Sequence, residues 1–211
     1  MAVTGRRPTG GWHYELNPAQ GREHLPEVTA ISAQILGESE LLLPRRLVLS
    51  NWIRPMGETF EPGGAGAVEI PVGPALSAAE IARAITRADT GDEQAIPGIG
   101  VRGDTIVVEP GSQPRVEADL LTLDAVYDGV GITVHLTTYG TMWLAFDLAG
   151  RPQEALAAGN APRLAHALHR LAVRLDAEVH PGAPTRYAVP TPHGLDNHRY
   201  VDGEIASVDA S

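Results

Sequence analysis

Apolar side chains recur along this chain in two rhythms, every second residue in some stretches and every third or fourth in others, and the two predict strands and helices. Trp12, Tyr14 and Leu16 alternate with His13 and Glu15, as in a half-buried strand. Val28, Ile31, Ile35 and Leu36 share one helical face over residues 26–36, and Gly37 offers a stop. Residues 41–53 are rich in Leu, Val and Ile but broken by Pro44, Arg45 and Arg46, which suits a strand pair or a bent strand. Residues 61–66 read as a glycine-rich loop and 67–72 as a short strand. Ser77 and Glu80 stand at capping-box spacing with Leu76 and Ile81 as a hydrophobic staple, so a helix is expected from there to about Ala88.

Further along, residues 98–103 read as a loop leading into a strand at 105–109. Ile132, Val134 and Leu136 then alternate with Thr133, His135 and Thr137, and Asp128-Gly129 is a hairpin turn. With a further strand at 142–146, residues 116–147 predict a three-stranded antiparallel meander. Asn160 is placed to cap a helix striped by Leu164, Leu168, Leu171 and Leu175, with Pro162 in its first turn. The proline-rich end has room for an edge strand at 185–189. The sum is an α+β fold, an antiparallel sheet packed by about three helices. Residues 1–10 are expected to lack order, 11–201 to form one domain, and 202–211 to be a mobile acidic tail.

Composition narrows the chemistry. With 43% of its 211 residues hydrophobic and 20% charged, the chain can bury a core without cross-links. Cysteine is absent, which removes disulfides, thiolate metal sites and cysteine nucleophiles. All 16 residues in the Lys+Arg count are arginines, which removes Schiff-base chemistry and the P-loop lysine. A net charge of −10 disfavours nucleic acid and anionic membranes and favours a basic protein partner, while self-association stays open. No export signal or spanning segment is recognisable, so a cytoplasmic location is expected.

Gly98, Gly100 and Gly103 spell G-x-G-x-x-G, but a dinucleotide fingerprint needs a strand before it and a helix after it, and no cofactor is inferred. His166 and His169 fall opposite the leucine stripe and read as a solvated face; His135 reads as exposed on the polar face of its strand. His193, Asp196 and His198 are the best trio for acid–base work or a metal if their segment folds back. Acidic residues concentrate in the middle of the chain. Asp89, Asp92, Glu93, Glu117, Asp119, Asp124 and Asp128 are the candidates for a partner-binding face, opposed locally by Arg102 and Arg115 alone. Trp143 and Trp52 are expected in the core.

The stretch from Trp143 through Asp147, Gly150, Arg151 and Pro152 to Gln153, followed by Asn160-Ala161-Pro162-Arg163-Leu164 and by Pro184-Thr185-Arg186-Tyr187, resembles small actinobacterial proteins of unknown function, some of them toxin-immunity-like. This covers about the C-terminal third and implies a binding role. Two functions therefore stand: a non-enzymatic protein that presents an acidic surface to a basic partner, as an immunity or antitoxin-like inhibitor does, and a small hydrolase or isomerase using His193, Asp196 and His198, with or without a metal.

Overall fold

A computed structural model describes residues 7–17, 21–51, 67–88, 97–198, 200–201 and 204–205. The elements follow in order as β1 (Gly10–Glu15), α1 (Leu25–Glu38), β2 (Leu43–Asn51), β3 (Val68–Pro71), α2 (Ala78–Ala88), β4 (Pro97–Val107), β5 (Arg115–Tyr127) and β6 (Ile132–Thr138), then α3 (Glu154–Leu175) and β7 (Val179–Pro181). Two small hairpins close the chain, β8 (Val189–Thr191) with β9 (Gly194–Asp196), and β10 (Tyr200–Val201) with β11 (Glu204–Ile205). The fold is α+β. One seven-stranded sheet runs β3-β2-β4-β5-β6-β1-β7, and every neighbouring pair is antiparallel.

Strand alternation sends Trp12, Tyr14, Leu47, Ile99, Val101, Leu121, Leu123, Val134 and Leu136 to one face, where they merge into a single core with the apolar sides of all three helices. The leucine stripe of α3, Leu164, Leu168, Leu171 and Leu175, is buried as its spacing predicts. The Tyr14 hydroxyl crosses this core to donate to the Leu168 carbonyl at 3.2 Å. At the start of α2 the capping box forms: the Ser77 amide donates to Glu80 Oε2 at 2.9 Å and the Glu80 amide to Ser77 Oγ at 3.3 Å. The two edge strands are short, and each ends in a proline, Pro71 or Pro181, with no N–H to offer a further strand. Among the described residues no helix is long and apolar enough to cross a membrane.

Three expectations are corrected. Residues 98–103 are not a loop but the middle of β4, and their glycines serve close packing: a Cβ on Gly103 would stand 2.0 Å from the Leu43 carbonyl oxygen, beside the bulge where Arg45 interrupts the β2–β4 register. The meander is therefore β4-β5-β6; residues 142–146 turn instead of extending, with Trp143 buried and its Nε1 donating to Thr138 Oγ1 at 2.9 Å. Asn160 does not cap α3, which starts six residues earlier and carries Pro162 in its interior. Its side chain is instead spent across the fold. Asn160 Nδ2 donates to the Val108 carbonyl at 2.7 Å, and Oδ1 accepts the Val108 amide at 3.1 Å and Arg163 Nη1 at 3.1 Å. Arg163 in turn donates to the Ile106 and Ser39 carbonyls, at 2.8 and 2.9 Å, so this corner ties α3 to the ends of β4 and α1.

The Asn160→Ala substitution leaves the amide and the carbonyl of Val108 without their side-chain partner in a partly buried position. It is expected to cost about 1–2 kcal/mol, read as a lower urea midpoint with unchanged slope.

Candidate functional site

Helices cover one face of the sheet, so the opposite face carries the polar members of each alternating strand. A lateral row crosses this face. His180 on β7 pairs in register with His13 on β1, His13 with His135 on β6, His135 with Asp124 on β5, and Asp124 with Gly100 on β4. The imidazoles of His13 and His180 stack with ring centroids 5.1 Å apart, and those of His13 and His135 lie 6.0 Å apart. Asp124 is buried and accepts from Arg102 Nη2 at 2.8 Å, while Arg102 Nη1 donates to the Leu123 carbonyl at 3.1 Å. Gly100 makes room for this pair, since a Cβ there would meet Asp124 Oδ1 at 2.7 Å.

Burial lowers the pKa of His13, helped by the nearby His180 charge and opposed by Glu15. Burial also lowers that of His135, against the upward pull of Asp124. Both rings are therefore neutral near pH 7. Tyr139, which hydrogen-bonds Thr122 and lies near Arg102 and Asp124, has its pKa raised by burial.

The acidic residues singled out in the sequence do not form one surface. Asp89, Asp92 and Glu93 lie outside the described residues, as does Trp52. Asp124 is buried in its pair with Arg102. Asp119 is bound by Arg46 at 3.0 Å and Glu117 by Arg115 at 3.1 Å. Asp128 sits at the other end of β5, roughly 30 Å away at strand rise, where Oδ1 accepts the Val130 and Gly131 amides in the β5–β6 turn.

Asp128 does have acidic neighbours, contributed by other parts of the chain. The Leu16 amide donates to the Ile132 carbonyl at 2.9 Å, which brings Glu15, at the end of β1, beside this turn. Tyr14 pairs with Val179, so the antiparallel register sets Glu178 next to Glu15, and Asp176 caps α3 just before it. Glu15, Asp128, Asp176 and Glu178 are all exposed, and among the described residues Glu15, Asp176 and Glu178 have no arginine within ion-pairing distance. The acidic end of the molecule is thus assembled from three separate segments. Sequence order hides three of its members. His13 and Glu15 are visible there only as the polar half of a strand.

The trio His193, Asp196 and His198 does not converge. His193 and Asp196 are exposed on the β8–β9 hairpin, whereas His198 Nε2 is 2.6 Å from the Thr185 carbonyl and so must carry the proton. Among the described residues no group of three or more His, Asp or Glu side chains is placed to hold a metal ion. His166 and His169 are exposed on α3, opposite its buried stripe. No protein-family model, no curated protein and no solved structure matches the chain.

The lowered imidazole pKa values make a linkage prediction. His13 and His135 bind protons less readily in the folded chain than in the unfolded one, so their stabilisation is complete above the ordinary imidazole value and is lost as pH falls through the depressed folded values. Urea unfolding should show lower stability at about pH 5.5 than at about pH 7.5, and His135→Gln should flatten the difference.

Proposed function

We propose that this protein is a non-enzymatic binding protein whose acidic end docks a basic protein partner. The observation that carries the reading is the group formed by Glu15, Asp176 and Glu178, exposed and unmatched by arginine among the described residues, on an already acidic chain. Charge of one sign gathered at one end steers association with a cationic surface and raises its rate. Inhibition of a basic enzyme or toxin, as by an immunity or antitoxin-like protein, is the form of this function that the resemblance in the C-terminal third favours. Catalytic groups are unnecessary for it.

A pull-down from the producing cells at low and high salt tests the proposal. The wild-type chain should recover a basic protein at low salt and lose it at high salt. The triple variant Glu15→Gln, Asp176→Asn, Glu178→Gln should lose it at both, whereas Glu117→Gln, whose carboxylate is already matched by Arg115, should retain it. Recovery of the same protein by the triple variant, or of no basic protein by the wild type, would count against this role.

A second reading, acid–base chemistry, is favoured by one juxtaposition: the neutral imidazole of His135 beside the Asp124 carboxylate, which Arg102 holds in place. It calls for turnover of some member of a panel of ester and amide substrates that disappears in both His135→Gln and Asp124→Asn. Turnover that survives either substitution would dispose of it.

A further inference from the structure

The opposite end of the sheet carries a cavity of different character. After β6 the chain turns through Phe146 and Asp147, and this turn is clamped to the segment after β9: the Phe146 amide donates to Asn197 Oδ1 at 3.1 Å, and Asn197 Nδ2 donates to the Phe146 carbonyl at 2.9 Å. Between the two segments lies a cavity of about 340 Å³, walled by Phe146, Leu148, Tyr187 and His198, with Arg186 at its margin. Phe146 and Leu148 are 43% and 56% exposed, two of the few large apolar side chains that the described surface leaves in water.

The charge balance of this cavity runs against that of the chain. Asp147 is its carboxylate, and it is fully engaged: Arg151 donates to it through Nε at 2.7 Å, and the Ala149 and Arg151 amides donate to its other oxygen at 2.9 Å each. Arg186 has no carboxylate partner among the described residues. Its guanidinium lies 4.5 Å from the centroid of the Tyr187 ring and hydrogen-bonds the Tyr187 hydroxyl. Stacking on the ring holds the guanidinium plane and leaves most of its donors unused. His198, with its Nε2 proton given to Thr185, keeps a buried Nδ1 that has no hydrogen-bond partner among the described residues. That lone pair is an acceptor and calls for a donor, which an anion cannot supply, so the anion-receiving group of this cavity is Arg186.

We propose that this cavity is a binding site for a small aromatic carboxylate. The carboxylate meets the guanidinium of Arg186, which can receive it in two parallel hydrogen bonds, and the ring fills the space between Phe146 and Tyr187. The volume suits a ligand of one ring and short substituents. The site stands apart from the acidic end, and it holds whether or not that end docks a partner.

Titration with benzoate, followed by NMR shifts or calorimetry, tests the assignment, with benzyl alcohol and inorganic phosphate as controls. Benzoate should saturate in the millimolar range or below, shifting resonances of Phe146, Tyr187 and His198. Arg186→Gln and Phe146→Ala, both changes of exposed side chains, should each weaken it at least tenfold with the circular dichroism spectrum unchanged. Benzyl alcohol binding as well as benzoate would remove the carboxylate requirement, and phosphate binding as well as benzoate would remove the ring; either result overturns the proposal. So would unsaturated binding, or full affinity in Arg186→Gln.

Discussion

The entry of β1 between β6 and β7 is the constraint on which the rest of this molecule depends. The strand nearest the start of the chain pairs with two strands more than a hundred residues away, and so sets the register of everything at that side of the sheet. Inward it delivers Trp12 and Tyr14 to the core. Outward, the same period of two sets His13 between His135 and His180, and Glu15 beside Glu178 and the β5–β6 turn. A slip of one residue would turn both indole and phenol to the polar face and dismantle the histidine row and the acidic end together.

Arginine is the only permanent cation of the side chains here, and its distribution explains where negative charge is left over. Arg45, Arg46, Arg102, Arg115, Arg151, Arg163 and Arg170 all lie within ion-pairing distance of described carboxylates. Such pairs do most where they are partly buried, as for Arg102 with Asp124, and little where both partners are in water. Their collective effect is to neutralise carboxylates on the sheet and at the junction of α3 with the end of α1. Among the carboxylates left without an arginine, Glu15, Asp176 and Glu178 lie where β1 stops and β7 starts.

Local signals in the sequence were legible where one segment decides its own structure. The capping box at Ser77 and Glu80, the Asp128-Gly129 turn and the leucine stripe of α3 all work through neighbours a few residues away, and all appear as expected. Asn160 misled because its amide is used by Val108, far along the chain, and not by its own helix. The glycines of β4 misled because their small size answers to the Leu43 backbone and to the Arg102–Asp124 pair, both reached only through sheet register. The candidate surface failed to be legible for the same reason: runs of acids along β5 were conspicuous, but β5 is long and crosses the sheet, so nearness in sequence there means separation in space. Glu15, Asp128, Asp176 and Glu178 are close only once β1 and β7 are paired.

The prolines that finish the two outer strands have a bearing on how this protein can be handled by evolution and in the cell. A β-sheet with open borders can be extended by any compatible strand, which makes it a seed for fibres as readily as for complexes. Pro71 and Pro181 blunt both borders. A strand added at either border would forgo one main-chain hydrogen bond at the proline, which tilts contacts with other molecules toward the side chains of the faces and ends.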